Sequence, residues 1–277
     1  MSVVISNNLL DKFKTRITDV ATFHTAVPNT ATEIVFAFLG DVDLTGYTKS
    51  GSIGAGIDVY EDGTKYAVVS SKIICAPENS AEFFADYGEL TSLDLSNFDT
   101  SNVTSFERMF STCSGLTSLD LSNFDTSNAT TFAYMFVNCS GLTSLDLSNF
   151  DTSNVTSFEQ MFESCMGLTS LDLSNFDTSN VTSFERMFRD CIGFTSLDLS
   201  NFDTANATTF EQMFRDCTNL ITIIANDWSA TVTSQKMFDG CTSLVGGNGT
   251  TYNSSHIDAT YAHIDVADNP GYFTAPA

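Results

Sequence analysis

The sequence predicts an α/β repeat architecture, a solenoid with short parallel strands on one face and short helices on the other, preceded by a small α+β N-terminal region. Three observations carry this. Leu90, Leu116, Leu142, Leu168, Phe194 and Leu220 recur at steps of 26 residues, the length of a unit that must stack on its neighbours to bury its apolar side. Apolar and polar residues alternate through each LDLS, the period of a strand with one buried face. Phe106, Met109, Phe110 and Cys113 then fall at i, i+3, i+4 and i+7, one apolar stripe of a helix.

Residues 1–56 do not share the repeat. Residues 8–20 read as a helix with Leu10, Phe13 and Ile17 on one side, 33–39 as a buried strand, and the Gly/Ser-rich 46–56 as a loop. This region is a candidate attachment module for a homo-oligomer or a virion partner. Residues 57–89 hold a hairpin over 57–69 with its turn at Asp62-Gly63. An N-terminal cap of the repeats follows, with Phe84 at the place of Phe110 and Tyr87 at that of Cys113. Residues 90–243 are six repeats, five of 26 residues and a shortened last one, and 244–277 form a C-terminal cap and tail.

Within a unit Leu90, Leu93 and Leu95 face inward, and Phe98, replaced by Trp228 in the last unit, closes the layer. Asp99, Ser101 and Asn102 make a polar corner where side chains bond the local backbone. Thr104 with Glu107 has capping-box spacing, repeated at Thr156/Glu159, Thr182/Glu185 and Thr208/Glu211. Parallel strands are expected to line one side at roughly 4.8 Å spacing. Cys113, Cys139, Cys165, Cys191, Cys217 and Cys241 share one place in the unit and read as a column of buried free thiols, with Cys75 apart. No CxxC pair or Cys/His cluster indicates a metal site.

With 11 basic side chains against 34 acidic ones, a net charge of −23, and no lysine between Lys72 and Lys236, the chain lacks what phosphate backbones and anionic membranes require. No apolar run reaches the roughly 18 residues of a spanning helix, so membrane insertion is not expected. The opening MSVVISNNLLDKFKTR puts apolar residues before charged ones, the reverse of a secretory leader, and NPGYFTAPA shows no anchor pattern. An ordinary leader or wall anchor is therefore not expected. Nucleophile-elbow, HExxH, P-loop and dinucleotide motifs are absent, so no enzyme and no organic cofactor are expected.

The candidate ligand-binding face is the outward side of the strands. It comprises Ser92, Asp94 and Ser96; Ser118, Asp120 and Ser122; Ser144, Asp146 and Ser148; Ser170, Asp172 and Ser174; and Ser196, Asp198 and Ser200. Asp99, Asp125, Asp151, Asp177 and Asp203 form a second acidic column. Three readings stay open for these columns: a solvated face, weak calcium sites at Asp94, Asp120, Asp146, Asp172 and Asp198, or recognition of a polyhydroxylated ligand such as a surface glycan. An ice-binding face would instead carry outward Thr and few charges. On the helical side the exposed positions drift between units, with Tyr134, Met166 and Ile192 the least polar. In the tail, His256 and His263 are seven apart and are candidates for mutual contact.

The units LTSLDLSNFDTSNVTSFEQMFESC, the ending YAHIDVADNPGYFT and the lead-in DGTKYAVVSSKIICAPENSAEFF resemble the BspA-like bacterial surface proteins with 26-residue leucine-rich repeats. The resemblance spans roughly residues 57–277. It implies a leucine-rich-repeat solenoid and adhesion to a protein or glycan of a cell surface, hence an extracellular, cell-surface or virion location. Two alternatives accompany that expectation: a phage virion decoration or fibre component, and an intracellular protein-interaction scaffold.

Overall fold

The computed structural model describes residues 14–228 and 232–277, and it overturns the expected α/β leucine-rich-repeat solenoid. Among the described residues the helices are Val20–Ala26 (α1) and a 3-10 turn at Ala259–Tyr261, neither of them in the repeats. The strands fall into three separate sheets, not one ladder, and no helix lines the opposite face.

The reason lies in where the amide groups point. An α-helix spends each N–H on the carbonyl four residues back. Here alternate amides leave the unit. Phe106, Arg108, Phe110 and Thr112 donate to the carbonyls of Thr131, Ala133, Met135 and Val137 at 2.8–3.3 Å, while Met109, Ser111 and Cys113 close turns onto Phe106, Arg108 and Phe110. Two residues per unit take positive φ to permit this, Arg108 (54°) and Thr112 (62°) in the first and Tyr134, Asn138, Gln160 and Ser164 in the next two. They stand third in their turns, as in type II geometry. The apolar spacing that reads as a helical stripe is equally the stripe of two consecutive turns. The expected capping box also dissolves: the Thr104 hydroxyl donates to Glu78 O (3.4 Å) in the preceding unit, and the Glu107 amide bonds Ser105 Oγ (3.4 Å).

Successive units are thus joined along the turn side. Parallel bridges run Asn79, Ser105, Thr131, Ser157, Ser183, Thr209, Thr233, each residue to the next. Beneath them Phe84, Phe110, Phe136, Phe162, Phe188, Phe214 and Phe238 stack with ring centroids 5.4–5.8 Å apart and planes within 7°. Offset stacking of this kind adds to the burial energy of each ring. Every thiol of the cysteine column is buried and donates to a phenylalanine carbonyl of the preceding unit, for example Cys139 Sγ to Phe110 O (2.9 Å) and Cys165 Sγ to Phe136 O (3.1 Å). The glycines before Leu116, Leu142, Leu168 and Phe194 lie where the backbone of the preceding unit approaches closely. A Cβ on Gly167 would sit 2.5 Å from Leu142 O, and one on Gly115 would sit 2.7 Å from Leu90 O.

The N-terminal region is built into the same body. In chain order its strands are Lys14–Arg16 (β1), Glu33–Phe38 (β2), Thr48–Gly54 (β3), Ile57–Asp62 (β4), Lys65–Ser70 (β5) and Ile73–Cys75 (β6), followed by Ser92–Asp94 (β7) and Phe98–Asp99 (β8) of the first repeat. One sheet runs β3-β4-β5-β2-β7 and a second runs β1-β6-β8, so strand pairing crosses residue 56 and joins the region to the repeats. The expected helix over 8–20 does not form in its described part. Residues before 14 lie outside the described residues, 14–16 are a strand, and α1 begins only at Val20, where Asp19 caps the Thr22 amide at 2.6 Å. The expected loop at 46–56 is mostly β3, an irregular edge strand whose Gly54 lets the backbone pass against Arg16 O. The hairpin forms, with Asp62 opposite Lys65 and its loop one residue later than expected, at Gly63-Thr64.

A third sheet, β11-β10-β9, closes the other end from Ser196–Asp198 (β9), Thr222–Ile224 (β10) and Phe273–Thr274 (β11). There Tyr272 meets Phe238 edge-on at 5.1 Å, ending the ring stack. Buried Asp265 gathers the tail by accepting from the Asn248 and Thr250 amides at 2.8 and 2.9 Å.

Three outcomes follow. Gly167→Ala is expected to lower stability by about 1–3 kcal/mol through overpacking, read from urea unfolding, whereas Ser114→Ala at an exposed position stays within about 0.5 kcal/mol. Burial pushes the thiols of Cys139 and Cys217 up to about 12, against about 8.5 when unfolded. The stability this represents is complete below about pH 8.5 and is lost as pH climbs toward the folded value. The unfolding midpoint should therefore fall steadily above about pH 8.5. At pH 8 a thiol reagent should leave the six repeat cysteines untouched until denaturant is added.

Candidate functional site

Each Ser-x-Asp-x-Ser segment presents its three polar side chains outward because Leu95, Leu121, Leu147, Leu173 and Leu199, between Asp and the second Ser, are buried. All fifteen candidate residues lie on this face, exposed apart from half-buried Ser200. The carboxylates are not free rotors. Oδ1 of Asp94, Asp120, Asp146, Asp172 and Asp198 accepts from the backbone N–H two residues on, at 2.9–3.0 Å. Bonds from Ser122, Ser148 and Ser174 hold the carboxyls of Asp120, Asp146 and Asp172 below the usual carboxylate range; at Asp146 the neighbouring Asp172 and Asp120 pull weakly the other way. Asp120, Asp146 and Asp172 are therefore ionised throughout the neutral range.

The second column is tied in the same way. Asp99, Asp125, Asp151, Asp177 and Asp203 accept from the amide two residues later at 2.9–3.0 Å, and Lys14 forms an ion pair with Asp99. Among the described residues no three His, Cys, Asp or Glu side chains converge as a metal site would need.

Between successive segments the surface opens into clefts. One of about 350 Å³ is lined by Asp94, Ser96, Asp120, Ser122 and Asn123 together with Leu93 and Leu95, and the next, about 320 Å³, by Asp120, Ser122, Asp146, Ser148 and Asn149 together with Leu119 and Leu121. They exist because the middle segments do not pair as strands. The backbone N–H groups of 118–121, 144–147 and 170–173 donate no hydrogen bond within the chain. Side chains hold this side together instead. Asn123 Nδ2 bridges to Leu95 O (2.8 Å) and Phe98 O (3.0 Å), and Asn149, Asn175 and Asn201 repeat this one unit on. Thr126 Oγ1 donates to Asp151 O (3.2 Å) and accepts from the Asp151 amide (2.7 Å). Sequence reading passed over these Asn and Thr ladders, although both residues recur in the units and that recurrence was the available signal.

On the turn side, Arg108 lies over the Tyr134 ring at 4.4 Å, and the Tyr134 hydroxyl donates to Glu159. Met166 and Ile192 are exposed one unit apart. His256 and His263 do not pair with each other; both stack on Tyr261, at 4.3 and 6.4 Å. Among the described residues no helix is long and apolar enough to cross a membrane.

A search of curated proteins finds no match to the chain. A family described as "Mycoplasma protein of unknown function, DUF285" matches residues 78–171 and again 143–252. Those two overlapping stretches take in the cap, the stacked turns and the Ser/Asp face, and together they span more than half of the 277 residues. The chain belongs to the DUF285 family.

Proposed function

We propose that this protein is a non-enzymatic binding protein that recognises a glycan or glycan-bearing protein of a cell surface through its Ser/Asp face. The observation that carries the reading is the row of clefts between successive segments. Each offers carboxylate oxygens, hydroxyls and a carboxamide beside backbone N–H groups without partners. Sugar hydroxyls both donate and accept, and so match such a mixed set better than an apolar ligand would. Repetition adds avidity for a polymer whose repeats engage several clefts together. The resemblance to BspA-like surface proteins supports the same role, with an extracellular or cell-surface location.

The test uses labelled full-length protein on intact bacterial and animal cells and on immobilised polysaccharides, each with and without calcium. Saturable binding is expected, reduced at least about tenfold when Ser96→Tyr, Ser122→Tyr and Ser148→Tyr block the clefts while thiol protection stays native. Calcium dependence would place a cation in recognition. Absence of binding to every surface, or binding unchanged in the blocked variant, would overturn the reading.

A further inference from the structure

The same SLD sequence behaves in two ways in this chain. At 92–94 it pairs as strand β7, and there Asp94 lies opposite Val35 of β2. At 196–198 it pairs as strand β9, and there Asp198 lies opposite Ile224 of β10. Between them, at 118–120, 144–146 and 170–172, it forms no strand and its amides go unpaired. What differs is the neighbour. Asp120, Asp146 and Asp172 have another Asp of the column on each side, whereas the two strand-forming copies each have one uncharged neighbour, and it is on that side that they pair.

We propose that the inner Asp column is an electrostatic spacer that holds the middle segments apart, so that neutralising it lets them zip into one parallel sheet running from β7 to β9. Like charges directly opposite one another disfavour strand pairing. The Asx bonds to the following Ser amides fix each carboxylate on its segment, so the charges cannot swing apart. No basic side chain interrupts the column. Lys65 at its N-terminal end is engaged by Glu33 at 3.1 Å beside Ser92, and at the other end Ile224 is followed by Thr274. The Asn and Thr ladders keep the segments in register while they are open, which makes closure a small movement. The open state exposes the clefts and the closed state removes them, so ionic conditions would gate access to the face.

Hydrogen exchange of the full chain at one fixed pH tests this. The variant Asp120→Asn/Asp146→Asn/Asp172→Asn keeps the Asx acceptor and removes the charge. Its amides at 119–121, 145–147 and 171–173 should exchange at least about tenfold more slowly than in the parent chain. Raising ionic strength from 0.01 M to 1 M, which shortens the Debye length from about 30 Å to about 3 Å, should slow the same amides in the parent chain and leave those of the variant unchanged. Exchange in the folded variant that matches the parent would overturn the proposal. Should the variant fail to fold, as exposed thiols would report, the salt series on the parent decides, and no slowing there overturns it equally.

Discussion

Everything in the repeats rests on one backbone arrangement, the alternation of amides between turns within a unit and carbonyls of the next. Phe162 and Ser164 donate to Met187 and Arg189, while Met161, Glu163 and Cys165 close onto Phe158, Gln160 and Phe162. Positive φ at non-glycine residues is uncommon and unfavourable, and here it recurs twice per unit. It persists because the alternative, a helix, would leave neighbouring units with no backbone bonds to exchange on this side. The stacked phenylalanines and cysteine thiols follow from it. Once carbonyls and amides fix the step between units, identical side chains fall directly above one another.

The same constraint makes the two sides unequal. On the turn side the backbone joins units directly and little room remains between them. On the Ser/Asp side the outward residue is a carboxylate in five successive units, and the join passes to Asn and Thr side chains. The clefts, the unpaired amides and the binding function proposed for them share that origin. Adding charge to a strand position solubilises a face and blunts its tendency to pair with other chains, and in this molecule it also keeps the face open.

The ends show how such a stack is finished. Phe23 packs on Phe83 at 4.4 Å, and Tyr87, in the cysteine position, sends its hydroxyl to Val27 O. At the far end Tyr272 and Phe273 cover Phe238. Because β1 and β2 pair directly with β6 and β7, residues 14–56 share strands and core with the first repeat, and removing them would uncover Phe84 and Phe98.

The sequence by itself determined the repeat, its phase, the buried column of leucine, phenylalanine and cysteine and the outward Ser/Asp face. Each of these depends only on which residues recur and on their apolar or polar character. Tertiary structure decided the rest. Phe106, Met109, Phe110 and Cys113 fit a helix and a pair of turns equally well, and the choice was made by hydrogen bonds to a unit 25 residues away. SLD fits a strand everywhere, yet it is one only beside Val35 or Ile224, because strand pairing depends on what stands opposite and not on the segment alone.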